Sequence, residues 1–207
     1  VTLRVRDAAR RFGSRPVFDG LDLDVPAGTR LLLDGRNGAG KTTLLRCLAG
    51  TLTFTAGEAS VAGHPAGSAQ ARRLTGVCLT PEQGLYGRLS GHDNLLLAAR
   101  LRLAGPAART AVARLETELE IEPFARVPTE RCSAGMRARV TIARALLGDP
   151  ALLLLDEPGR SLDVHARALL WAALDRRRDL TCVLVSHHPE DRDRCDRALS
   201  FPVHGER

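Results

Sequence analysis

The sequence predicts an α/β fold built on a mainly parallel sheet, and three observations carry that prediction. A short apolar run, Thr29 to Leu33, reads as a buried strand that passes through a glycine-rich turn into an apolar-rich helical segment, Thr43 to Ala49. Two further apolar runs, Ala151 to Leu155 and the β-branched Leu180 to Val185, also read as buried strands, and both lead directly into polar residues. Between these strands, apolar residues recur at helical spacing through Asn94 to Leu103 and Thr110 to Leu119. Strands separated by helices give a parallel sheet.

In chain order, Val1-Thr2-Leu3-Arg4-Val5-Arg6 alternates like a strand and does not read as a signal peptide. The alanine-rich stretch Ala62 to Ala71, broken by Gly63, Pro65 and Gly67, reads as a loop. At 207 residues and 44% hydrophobic, the chain suffices for one core or a core with a smaller insert. No run approaches the roughly 18 apolar residues of a membrane span. A soluble protein without leader or anchor is therefore expected.

The five cysteines, Cys47, Cys78, Cys132, Cys182 and Cys195, are odd in number, scattered and without metal-ligand spacing. They read as reduced, mostly buried thiols of a cytosolic protein. A net charge of +6 raises the question of nucleic acid, but arginines are spread along the chain and only 3% of residues are aromatic. Platforms for stacking bases are scarce, so no direct nucleic-acid binding is expected. The densest basic cluster, Arg176-Arg177-Arg178, reads as a solvated helix end.

Lys41 is the only lysine; every other basic residue is arginine. It lies in Gly35-Arg36-Asn37-Gly38-Ala39-Gly40-Lys41-Thr42, which fits G-x-x-x-x-G-K-[ST]. Arginine is a planar fork, whereas lysine is a compact charge on a flexible stem that can reach into a phosphate cradle. In this motif the amides of Gly35, Asn37, Gly38, Ala39 and Gly40 surround phosphates, Lys41 reaches the β and γ phosphates, and Thr42 binds magnesium. Thr43 opens the helix, whose N-terminal N–H groups and partial positive charge complete the anion site.

Downstream, the strand Ala151 to Leu155 runs into Asp156-Glu157-Pro158. With the phosphate loop upstream, Asp156 is expected to hold Mg2+ through water and Glu157 to polarise the attacking water as general base. Alone, the segment has a pair of solvated acids at a strand end as its lesser alternative. Leu180 to Val185 is followed by Ser186-His187-His188-Pro189. His187 lies where a parallel sheet meets its ligand and could bond the γ-phosphate or the water, or be a surface histidine in a turn.

Arg131-Cys132-Ser133-Ala134-Gly135-Met136-Arg137-Ala138-Arg139, before the apolar run Val140 to Leu147, resembles the LSGGQ signature of ATP-binding-cassette (ABC) ATPases. The order of phosphate loop, signature, strand with Asp-Glu, Ser-Leu-Asp and strand-end histidine resembles an ABC nucleotide-binding domain over essentially the whole chain. The resemblance implies that Ser161-Leu162-Asp163 is the D-loop, with Asp163 near nucleotide, that His187 is the switch histidine, and that Phe12 stacks on adenine. Without it, Phe12 reads equally as a core residue. Ser133 can cap the helix that follows, and its hydroxyl with the Gly135 amide makes an anion site with no phosphate of its own. In the family, that site closes over the ATP of a second cassette.

The departures from the family are specific. Counting back from Leu85-Tyr86, the Q-loop glutamine position holds Pro81, which has neither side-chain ligand nor backbone donor. Either Glu82 or Gln83 substitutes as the metal-sensing residue through a shifted loop, or sensing is weakened. Cys132, Ala134 and Met136 replace the leucine, first glycine and glutamine of the signature.

The resemblance implies a single cassette, with core residues 1–88 and 148–207 and a helical signature subdomain over about 89–147. It also implies an N-terminal antiparallel β portion beside the mainly parallel sheet. ATP and Mg2+ are the expected cofactors. The expected partners are a second cassette, giving a homodimer, and a separate integral membrane transporter subunit, placing the chain on the cytoplasmic face of the membrane. Gly84 to Ser90 looks most like exporter ATPases, and the short tail leaves no room for an importer's regulatory domain; haem exporters are one sub-class of this size. The alternatives are a soluble cassette acting on nucleic acid or ribosomes, and an ATP-binding switch with impaired hydrolysis.

Overall fold

The computed structural model describes residues 2–81 and 84–201. Strands β1 (Leu3–Phe12) and β2 (Arg15–Val25) are followed by β3 (Arg30–Asp34) and helix α1 (Lys41–Leu48). Next come β4 (Ala56–Val61), β5 (His64–Pro65), α2 (Ala69–Leu74) and β6 (Thr75–Cys78). Three helices follow: α3 (Gly91–Arg100), α4 (Gly105–Glu118) and α5 (Ala134–Leu146). The chain then forms β7 (Leu152–Asp156), α6 (Val164–Asp175), β8 (Thr181–Val185), α7 (Pro189–Arg192) and β9 (Arg197–Ser200).

Two compact units result. The first contains residues 1–79, 151–156 and 179–207; the second contains 80–150 and 157–178. The first holds two sheets. Its parallel sheet has the order β6-β7-β8-β3-β9, and its antiparallel sheet the order β2-β1-β4-β5. All five residues of β7 and of β8 are buried, which is why these strands read as continuous apolar runs. In β2 the second half alternates between buried and exposed, as a sheet with one wet face requires. Leu31 and Leu33 of β3, Leu45 of α1 and Val5 of β1 share one core. Phe18 fills it edge-on to Phe201, with ring centroids 5.7 Å apart. The α/β class and both kinds of sheet are those the sequence predicts.

The Ala62 to Ala71 stretch is not wholly loop. It contains β5 and the first turn of α2, where the Ser68 side chain accepts the Ala71 N–H at 3.2 Å. The Gly and Pro residues masked a capping serine before good helix formers.

In the second unit, α3 and α5 start earlier than their apolar runs because of their caps. Ser90 caps α3 by accepting the Asp93 N–H, and Ser133 caps α5 by accepting the Met136 N–H. Of the arginine cluster, Arg176 and Arg178 are exposed at the end of α6 as expected, and Arg177 is not. Arg177 is only 12% exposed and donates to Glu118 at 2.8 Å, a partner far upstream.

Candidate functional site

Within the first unit, the carboxyl ends of β3, β7 and β8 lie at one edge of the parallel sheet. Asp156 is paired with Val185 in the β7–β8 ladder, and Leu32 with Leu184 in the β3–β8 ladder. The edge therefore presents Asp156, the turn that bears His187, and the loop leaving β3.

That loop holds a backbone only glycine can supply at two points. Gly35 has φ 144, and a Cβ there would lie 2.1 Å from the Phe201 carbonyl oxygen. Gly40, the residue before α1, has φ 103, and its Cβ would lie 2.3 Å from Val17 Cγ1. Arg36, Asn37 and Gly38 are exposed, while Ala39 is partly buried. The Lys41 side chain turns back across the loop, donating to the Gly35 oxygen at 2.5 Å and the Arg36 oxygen at 3.0 Å. Lys41 is buried, so its charge is directed into the loop rather than spread into solvent.

The next residue reaches the second motif. Thr42 Oγ1 donates to Asp156 Oδ2 at 2.6 Å, and Thr43 follows in the first turn of α1. Burial pushes the Asp156 carboxyl up; the Thr42 hydroxyl and the charges of Lys41, Arg46 and His187 oppose that rise. His187 is exposed just beyond β8. Phe12, at the end of β1, is 51% exposed and so is not a core residue. The Arg10 guanidinium lies 4.5 Å from the Phe12 ring centroid, leaving the ring braced from one side.

The second unit carries the other set. Glu157, the residue after Asp156, is half-buried and has φ 48, a left-handed conformation uncommon for a non-glycine residue. Such backbone strain clusters at functional positions. Ser133 caps α5, and its own N–H donates to Met136 Sδ at 3.4 Å. The thioether thus takes the reciprocal role that glutamine or glutamate has in a capping box. A Cβ on Gly135 would lie 2.9 Å from the Ser161 carbonyl oxygen, so the signature and the Ser161-Leu162-Asp163 loop pack backbone to backbone. Asp163 caps α6, accepting the Ala166 N–H at 2.7 Å. Cys132 is buried where the family carries leucine. Gln83 and Glu82 lie outside the described residues. Pro81 is partly buried in a turn.

One supporting residue went unnoticed in the sequence. Asn94 is buried; its side chain accepts the Tyr86 N–H at 2.8 Å and donates to the Tyr86 and Ser90 oxygens at 3.1 and 2.9 Å. It staples the loop that carries Tyr86, itself 65% exposed. A buried asparagine on an apolar helix face was the available signal.

The glycine loop, its lysine and the buried aspartate that receives its threonine define a P-loop nucleotide-binding protein. Known proteins narrow that class. The sequence profile described as "ABC transporter" matches residues 18–160, and the chain belongs to this family. Nod factor export ATP-binding protein I of Rhizobium meliloti is 35% identical over 202 residues, covering 95% of this chain and 60% of that protein. Its counterpart in Burkholderia orbicola (strain AU 1054) is 36% identical over 197 residues, covering 93% and 65%. The chain thus spans about 60–65% of the length of these curated relatives. Among solved structures, an ATP-binding subunit of an ABC transporter superposes with TM-score 0.89 at 25% identity, covering 97% of this chain and 86% of that one. A dimeric ATP-binding cassette in a post-hydrolysis state, bound to ADP and Pi, superposes with TM-score 0.87 at 21% identity, covering 99% and 97%. The fold is that of the ABC cassette.

Proposed function

We propose that this chain is the ATP-binding and ATP-hydrolysing part of an ABC exporter. Two copies would close head to tail over MgATP and drive a separate membrane subunit from its cytoplasmic face. The observation that carries the reading is the Lys41 ammonium folded into its glycine loop beside the 2.6 Å Thr42–Asp156 contact. The export-type names of the relatives support the direction of transport. No helix of the described residues is long and apolar enough to cross a membrane.

The residues fit magnesium. A hydroxyl and a buried carboxylate 2.6 Å apart are hard oxygen donors of the kind this ion takes, with the nucleotide supplying others. Thr42 and, through water, Asp156 would hold it; when bound, it offsets charge on the β- and γ-phosphate oxygens. Lys41 and the loop amides hold the triphosphate. Glu157 orients and deprotonates the attacking water, and His187 bonds the γ-phosphate or that water. Phe12 stacks on adenine. Ser133 and Gly135 of one copy, with Asp163 at the D-loop, act on the nucleotide of the other. In a division into core residues 1–88 and 148–207 with a helical part over about 89–147, the helical part would carry Ser133 and Gly135 and the core Asp163.

Steady-state ATPase activity and light scattering after gel filtration test this for wild type and Glu157→Gln. The expected result is an active wild type, turnover lowered roughly 10²–10⁴-fold in the variant, and a dimer of the variant only with MgATP. A second reading, an ATP-binding switch with little turnover, is favoured by Pro81. Binding of MgATP and dimerisation without measurable wild-type hydrolysis would select it.

A further inference from the structure

The short helix α7 lies between β8 and β9 in the first unit. It makes two contacts that the family motifs do not account for. At one, Asp191, 2% exposed, accepts the Ser186 hydroxyl at 2.5 Å, and Ser186 Oγ accepts the His188 N–H at 3.1 Å. These bonds hold both neighbours of His187. At the other, Arg192 Nη1 donates to Asp34 Oδ2 at 2.7 Å, while Asp34 Oδ1 accepts the Gly35 N–H at 2.7 Å. Asp34 is the last residue of β3, and Gly35 is the first glycine of the phosphate loop.

A carboxylate at the mouth of a phosphate loop is an electrostatic liability. It repels the polyanion and competes for Lys41, whose charge it already feels. The bond from Arg192, the Gly35 amide and, more weakly, Lys41 hold the Asp34 carboxyl below the usual range, so it is ionised at neutral pH. Arg192 offsets that charge from the side away from Gly35, leaving the second carboxylate oxygen to fix the Gly35 amide. Because Asp191 anchors α7 through a buried bond, Arg192 projects from a fixed base.

We propose that Arg192 is a positioning residue for nucleotide binding: it neutralises Asp34 so that the carboxylate orients the first glycine of the phosphate loop without drawing Lys41 from the triphosphate. The same helix fixes the turn of His187, so the phosphate loop and the histidine share one brace. The proposal rests on the nucleotide-binding reading above.

The test is MgATP affinity by calorimetry, with melting temperature beside it. Arg192→Ala should weaken MgATP binding about 5-fold, with little change in melting temperature, because both partners are about half exposed and such pairs add little to stability. Adding Asp34→Asn should restore affinity to within about 2-fold of wild type, since the amide oxygen can still accept the Gly35 N–H and the charge is gone. Recovery on removing a second charge is not what a merely structural role gives. Unchanged affinity in Arg192→Ala, or no recovery in the double variant, overturns the proposal and leaves the function standing. Wild type that binds no MgATP overturns both.

Discussion

Thr42 of the phosphate loop and Asp156 at the end of β7 are joined by a 2.6 Å hydrogen bond between residues 114 positions apart. The bond couples α1 to the sheet and holds a buried carboxylate whose charge is only partly compensated. Burial raises the Asp156 pKa from its ordinary 3.8, so the folded state holds this proton more tightly than the unfolded chain. Stability from this group is therefore greatest at low pH, falls as pH rises from the unfolded value through the raised folded one, and is level above it. In EDTA, the melting temperature of wild type minus that of Asp156→Asn should decline through that window and then flatten. A difference independent of pH would mean that Asp156 is not desolvated as the structure has it. Added MgATP should raise the melting temperature of wild type more than that of the variant.

Lys41→Ala should abolish measurable MgATP binding. Its ammonium is the buried cation of the loop, and it now satisfies the Gly35 and Arg36 carbonyls. Losing a buried charge-assisted contact costs about 1.5–3 kcal/mol, or one to two decades of affinity, before the phosphate charge is counted. Calorimetric titration checks this, and near-wild-type affinity would remove Lys41 from the site.

Asn94→Ala should destabilise the protein by about 1–3 kcal/mol, because it leaves the Tyr86 N–H without its acceptor and frees the loop from α3. Urea unfolding gives the cost, and faster hydrogen exchange at the Tyr86 amide gives its location. If only global stability fell while that amide stayed protected, Asn94 would be packing the helix rather than stapling the loop.

Burial pushes Cys47 and Cys195 up to about 11 and Cys182 up to about 12. These thiols are neutral at pH 8, and the thiolate is the reactive form. Ellman's reagent at pH 8 should react slowly with native protein and rapidly with all five cysteines after unfolding. Fast native reaction at Cys182 would contradict its burial in β8.

What the sequence made legible was set by ligand geometry or by continuous burial. A triphosphate dictates the spacing of Gly35, Gly40, Lys41 and Thr42, and a strand covered on both faces must read as Leu152-Leu153-Leu154-Leu155. What stayed hidden depends on partners distant in the chain. Arg192 meets Asp34 across 158 positions, and Arg177 meets Glu118 across 59, so neither pairing leaves a local pattern. Arg177 read as solvated because charge runs usually are. Met136 looked like a lost glutamine, yet its sulfur accepts the Ser133 N–H, a substitution visible only once the cap is formed. Phe12 could be core or platform by sequence, and its exposure removes the core reading.

Gly135→Ala separates packing from phosphate binding at the signature. At an unobstructed position inside a helix, replacing glycine by alanine gains up to about 1 kcal/mol. Here the new Cβ would lie 2.9 Å from the Ser161 carbonyl oxygen, which is backbone and cannot rotate away. Forcing a methyl group into a filled space costs about 1–3 kcal/mol, which outweighs the gain in helix propensity. The variant without nucleotide should therefore be less stable by up to about 2 kcal/mol in urea unfolding. In the Glu157→Gln background it should also fail to dimerise with MgATP. A more stable variant would show that α5 and the Ser161 loop do not meet as described; a destabilised variant that still dimerises would leave the contact in place and remove Gly135 from the nucleotide interface.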